Sequence, residues 1–242
     1  DVAKALPETG NQVQERLKEI RAEVDSLLER KDAILAEGGI SEEDFRRLTV
    51  ALGSLENAYS RHSGALDALR QAREDAASRE AKEGSFLKKE PPFNLSFYEE
   101  VRNQFESAEQ KLNATVTAIK LHEGTVSSLE TARSQAEARL SDLKKSGAEG
   151  FSPGKKWALR EAEADLETLL ISLKSTGVNM EAQKLRKDFL QVQKDMLGKD
   201  LEKVRKNLVY DEQDRKRQAD LTSEKIARVR ERMEALQAER DR

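Results

Sequence analysis

The stretch that decides the fold is residues 95–145, LSFYEEVRNQFESAEQKLNATVTAIKLHEGTVSSLETARSQAEARLSDLKK. Tyr98, Val101, Phe105, Ala108, Leu112, Thr115, Ile119, His122, Val126, Leu129, Arg133, Ala136, Leu140 and Leu143 follow one another in alternating steps of three and four. That spacing is the a/d seam of a heptad repeat and predicts one uninterrupted helix, a rod of roughly 75 Å at about 1.5 Å per residue.

The pattern extends on both sides. Upstream, Val13, Leu17, Ile20, Val24, Leu27, Lys31 and Ile34 form a seam with Lys31 as its polar intruder, predicting a helix over about 7–37 that stops at Gly38-Gly39. Ser41-Glu-Glu-Asp is an N-cap signal with acids in the first turn. It opens a second helix to about residue 83 along Phe45, Leu48, Leu52, Leu55, Tyr59, His62, Leu66 and Leu69. The short link makes these two helices an antiparallel hairpin. Pro91-Pro92 breaks the pattern, and Asn94 can cap the long helix.

Downstream, Ser152 and Pro153 read as N-cap and first helical position. A short helix with Leu159, Ala162, Leu166, Leu169 and Leu173 is expected to stop at Thr176-Gly177. A last helix, capped by Asn179, then runs toward the C-terminus with shifting seams, the final one at Ile226, Val229, Met233 and Leu236. The stretch 211–225 is nearly all polar and should project past the bundle or pair with another element. The expected fold is all-α, an elongated antiparallel helical bundle or coiled coil of about five helices, several of them very long. Its organisation reads as an N-terminal hairpin (1–84), a Pro-containing turn (85–94) and a long-helix region (95–242), or one continuous domain.

Composition agrees. Charged residues make up 37% of the 242, against roughly 25% in an ordinary domain, and aromatics only 5%, which suits a thin core. With no Cys there is no disulfide framework, and no apolar run is long enough to cross a membrane. The 43 Lys+Arg alternate with 46 Asp+Glu, so no basic face for nucleic acid emerges; Arg215-Lys216-Arg217 directly follows Asp211, Glu212 and Asp214. The chain opens Asp-Val-Ala-Lys-Ala-Leu-Pro, without Met or an apolar leader segment, and reads as a mature or excised chain.

Candidate chemistry is sparse. His62 and His122 both fall on seam positions, which makes them register-setting polar core residues; a two-histidine metal site lacks further ligands, and a pH-sensitive hinge is the other reading. Pairs such as Glu99-Glu100 lie on solvated faces, with nothing to raise a carboxyl pKa for acid–base work. There is no nucleophile beside a histidine, no phosphate-cradling glycine loop and no zinc-helix motif. Asn94-Leu-Ser and Asn113-Ala-Thr match the glycosylation triplet, a pattern common by chance. The expectation is a non-enzyme with no catalytic, cofactor-binding or metal residues, no cofactor and no small-molecule substrate. Phe86, Phe93, Phe97, Tyr98 and Phe105 gather near the Pro-Pro turn, with Phe151 and Trp157 at the next junction. These aromatics plug the ends of a bundle, or one tip docks another protein.

Three segments carry a family likeness: Leu95-Ser-Phe-Tyr-Glu-Glu-Val101, Ala138-Arg-Leu-Ser-Asp-Leu143, and Ala162-Glu-Ala-Asp-Leu-Glu167 leading through Leu173-Lys-Ser-Thr-Gly177 into Gln183-Lys-Leu-Arg-Lys-Asp-Phe189. In these the chain resembles the N-terminal periplasmic coiled-coil (porin-type) region of the large, MscK-like channels of the MscS mechanosensitive family. The resemblance implies a periplasmic location, tethering to the bacterial inner membrane through a membrane-embedded channel domain of the same chain, a sevenfold homo-oligomer in the full channel, and a role as spacer, lever or envelope sensor in osmotic protection. It carries over no site residues. The competing readings are a soluble coiled-coil scaffold or filament-forming protein, and a helical-hairpin adaptor of an efflux or secretion system.

Overall fold

The computed structural model describes residues 6–80, 87, 89–146, 152–210 and 212–240. They form an all-α protein of six helices: α1 (Gly10–Glu29), α2 (Lys31–Ala36), α3 (Glu42–Glu80), α4 (Leu95–Lys145), α5 (Pro153–Lys206) and α6 (Glu212–Arg240). Two compact units result, one from residues 1–81 and 114–188 and the other from 82–113 and 189–242, with α4 and α5 contributing to both. Within the first unit α1, α3, α4 and α5 alternate in direction.

Helix starts follow the capping chemistry in the sequence. Thr9 and Gln12 make a reciprocal capping box at α1. Ser41 and Asp44 do the same before α3, the Asp44 N–H donating to Ser41 Oγ at 3.1 Å and the Ser41 N–H to Asp44 Oδ2 at 3.1 Å. Asn94 Oδ1 accepts from the Phe97 N–H at 3.0 Å at the head of α4, and Ser152 precedes Pro153 at α5. Gly38 and Gly39 take φ of 77° and 84°, the left-handed conformation that lets the chain reverse between α2 and α3.

Three boundaries differ from the sequence expectation, so that six helices replace about five. The helix expected over 7–37 is interrupted at Arg30, whose φ of −101° and ψ of 9° separate α1 from α2. The break sits beside the seam's polar intruder: Lys31 turns its ammonium to Glu42 (3.3 Å) and lies over the Phe45 ring instead of entering the core. The expected stop at Thr176-Gly177 does not occur, and α5 runs straight through. Thr176 Oγ donates back to the Ser172 carbonyl within the helix, and Val178, Ala182 and Leu185 pack against Leu69 and Ala72 of α3. Burying that face outweighs the ~1 kcal/mol that an interior glycine costs a helix. Finally, the last helix does not continue to the C-terminus; it ends at Lys206, and a new one starts at Glu212.

In the first unit α5 is the central strut. From Trp157 to Thr176 none of its residues is exposed, because α1, α3 and α4 surround it. Val13, Leu17 and Ile20 of α1, Leu48, Leu52, Leu55 and Tyr59 of α3, and Ala164 and Ile171 of α5 form the main core. Leu140 of α4 closes the other side on Ala162, Leu166 and Leu170. Polar contacts fix directions: the Arg21–Glu56 ion pair and the Gln14–Ser63 hydrogen bond run α1 antiparallel to α3, Arg139–Asp165 with the bond from Lys155 to the Ser146 carbonyl runs α4 antiparallel to α5, and Arg47–Glu161 with Arg73–Glu181 set α3 and α5 parallel.

The second unit is built on the first turns of α4 and the last turns of α5. Phe93, Val101 and Val204 are buried together, with Phe97 stacked on Phe93 at 5.3 Å. Lys194 pairs with Glu109 at 2.7 Å. A single β-bridge joins Phe93 to Leu208: the Phe93 N–H donates to the Asn207 carbonyl (3.1 Å) and the Val209 N–H to the Phe93 carbonyl (2.9 Å). Of the polar stretch expected to project, the start of α6 is anchored, and its described residues from Arg215 to Lys225 are exposed. Asp214 is buried and accepts the Leu95 N–H at 3.3 Å, and Arg217 donates to Ser96 at 3.1 Å.

Candidate functional site

The most densely built polar feature lies within the first unit, where α1, α3 and α5 meet. A second stripe on α5 explains it. Trp157, Arg160, Ala164, Glu167, Ile171, Lys174 and Val178 recur in steps of three and four, beside the leucine seam, and alternate apolar with charged side chains. The small Ala164 is fully buried and admits the neighbouring helices closely. The charged members then reach partners on α1 and α3.

Glu167 is the centre. Both its oxygens are engaged by Arg16 of α1, Nε at 2.9 Å from Oε1 and Nη2 at 2.9 Å from Oε2, and the fully buried Tyr59 hydroxyl of α3 donates to Oε1 at 2.7 Å. A bidentate guanidinium plus a phenol satisfies most of what a buried carboxylate needs. The hydrogen bond to Glu167 raises the Arg16 pKa further, and burial followed by that same carboxylate pushes the Tyr59 phenol well above its ordinary value. Arg160 meets Glu23 of α1 at 2.7 Å, and Lys174 Nζ donates to the Pro7 carbonyl at 2.7 Å. Each charged residue of the stripe therefore clamps α5 to α1 or to the segment before it.

On the opposite flank Arg139 of α4 donates to Glu161 at 2.8 Å and to Asp165 at 3.2 Å, while Arg47 of α3 approaches Glu161 at 3.8 Å. Burial raises the Asp165 pKa, opposed by Arg139. The chemistry available here is cohesive. Glu167 is held by a guanidinium and a phenol whose hold on their protons it strengthens. The effect is to lock three helices in register.

His62, one turn beyond Tyr59, is fully buried, and neither ring nitrogen has a hydrogen-bond partner. Burial first, and the charge of Lys174 second, lower its pKa. His122 is only half-buried. No group of three metal-ligating side chains comes together among the described residues. Of the aromatics, Phe93 is in the core of the second unit and Trp157 packs on the main core of the first, 5.7 Å from Phe45; Phe86 and Phe151 lie outside the described residues. Sequence reasoning missed the Arg16–Glu167–Tyr59 node. The available signal was the second three–four stripe on α5, masked because its charged members look like a solvated face.

Comparison with known proteins returned no matching family, no matching curated protein and no matching solved structure.

Proposed function

We propose that this chain is a non-catalytic mechanical module, the periplasmic helical region of an MscS-type mechanosensitive channel subunit, serving as spacer or lever in osmotic protection. One observation carries the reading. The central segment of α5 is enclosed by three other helices and clamped to two of them by partly buried charge pairs. Such a cross-section resists sliding and bending, because any axial shift separates Glu167 from Arg16 and Tyr59 together. Helices of 51 and 54 residues without a break extend that stiffness along the chain. The polar node thus serves rigidity, where a reactive site would need an open cleft.

No described helix is long and apolar enough to cross a membrane, so the tether and the sevenfold channel that this reading requires belong to other sequence of the same protein. A reading frame with hydrophobic spans beyond Arg242 is expected. In that full protein, deleting 6–210 should leave conductance intact and shift the tension needed to open the channel, measured by patch clamp, with lower survival of hypo-osmotic shock. A frame with no hydrophobic span, or unchanged gating and survival, overturns the reading. A second reading, a coiled-coil scaffold, is favoured by the apolar stripe left exposed on α6.

A further inference from the structure

Beyond the Arg217–Ser96 contact α6 is solvent-exposed along its described length. From Arg215 onward every described side chain is exposed, among them Ile226, Val229, Met233 and Leu236 at 47–60%. These four fall at steps of three, four and three, which makes them successive a and d positions of two heptads. The stripe is narrow. A helix that lies on a membrane presents an apolar face of 100° or more, with Trp or Phe at its edges, and α6 has neither. A two-position seam fits another helix.

The flanking positions say which helix. With Ile226 and Met233 at a and Val229 and Leu236 at d, the g positions are Lys225 and Arg232 and the e position between them is Arg230. All three are exposed, and no described carboxylate forms an ion pair with them. The acids up to Leu236, Glu224, Glu231 and Glu234, fall on the outer b and f positions, where Glu224 pairs with Arg228, and the first acid at a g position is Glu239, beyond the last apolar layer. A second copy of α6 is a poor partner. In parallel, Lys225 would face Arg230 of the other copy. Antiparallel, in the register that joins all four apolar layers, Arg230 would face its own equivalent and Arg232 its own at the centre of the overlap, and Lys225 would face Glu239 only at its two ends. Like charges at these positions oppose pairing.

We propose that residues 222–240 of α6 are a docking helix for a different protein chain: a helix with its own apolar heptad seam and acidic side chains at the flanking e and g positions. Four apolar layers supply the contact and the three basic residues select the partner by charge.

The test uses the full 242-residue chain and two synthetic 28-residue helices, both with Ile at a and Leu at d, one with Glu and the other with Lys at every e and g. By fluorescence anisotropy at low salt, the Glu peptide should bind at least about tenfold more tightly than the Lys peptide, and the gap should shrink at 1 M salt, where charges are screened beyond about 3 Å. Val229→Asp should weaken binding tenfold or more, with helix content and thermal midpoint unchanged because the site is exposed. The triple change Lys225→Glu, Arg230→Glu, Arg232→Glu should reverse the preference. Equal binding of both peptides, or binding of neither, overturns the proposal. So does a dimer in sedimentation that Val229→Asp abolishes, which assigns the stripe to a second copy, or capture by phosphatidylglycerol vesicles without peptide preference, which assigns it to a lipid surface.

Discussion

The Tyr59 hydroxyl and the Glu167 carboxylate meet at 2.7 Å, 108 residues apart in sequence, and Arg16 closes the same carboxylate from the third helix. Because the donors arrive from α1 and α3, the contact forms only when both helices are in register with α5. Removing the carboxylate leaves the phenol without its acceptor and the guanidinium with only Glu19 of its own helix. Glu167→Ala should therefore cost roughly 2–4 kcal/mol, below the full range for a buried pair because Arg16 keeps 30% of its side-chain surface in water. Tyr59→Phe deletes one donor and leaves the ion pair, so about 1 kcal/mol is expected. Urea denaturation of the two single variants and the double variant should show a double loss smaller than the sum.

His62 makes stability depend on pH in a definite direction. The fold holds the ring neutral, since burial and the Lys174 charge both disfavour the imidazolium. The folded pKa lies below the unfolded value of about 6.5, so the stabilisation is complete above that pH and is lost as pH falls toward the folded value. One group in this position removes at most about 1.4 kcal/mol per pH unit. The difference in unfolding free energy between wild type and His62→Leu, measured from pH 7.5 to 5, should change with that sign. At pH 7.5 the leucine variant should be as stable as wild type or more so, because both ring nitrogens are unpartnered. A flat difference across the range refutes the assignment.

What the sequence makes legible here is periodicity and local capping, because both are written in neighbouring residues. The α4 seam, the Ser41 and Asn94 caps and the Gly38-Gly39 reversal all follow from spacings of four residues or fewer. What escapes is the outcome of competition between a local signal and a distant contact. Thr176-Gly177 reads as a stop, yet Leu69 and Ala72 of α3 hold the helix through it. Arg160, Glu167 and Lys174 look solvated until Glu23, Arg16 and Pro7 are known to lie opposite. The channel likeness is of another kind, since it rests on three short segments of a heptad-rich chain and nothing in the fold depends on it.

The reversal between α2 and α3 separates backbone strain from crowding. Gly38 has φ of 77° and open space where a Cβ would stand, so Gly38→Ala should cost about 1 kcal/mol for the left-handed conformation alone. Gly39 has φ of 84° and Pro153 Cγ only 3.3 Å from that position, at the first residue of α5. Gly39→Ala should therefore be the more damaging of the two, and thermal denaturation should rank them so.

Gly177 provides the sharpest check on the continuity of α5. The residue is exposed, and a Cβ built there meets no other atom within 4 Å. Were the chain to end a helix here through a left-handed glycine, alanine would be strained and the protein would lose stability. In a continuous helix the opposite holds. Alanine restricts the unfolded chain, favours the helical backbone by roughly 0.5–1 kcal/mol and displaces nothing. Gly177→Ala should accordingly raise the urea midpoint, and amides 175–180 should exchange more slowly with solvent deuterium. A lowered midpoint would mean that α5 is two helices and that the charged stripe from Arg160 to Lys174 is clamped to α1 without support from the turns beyond it.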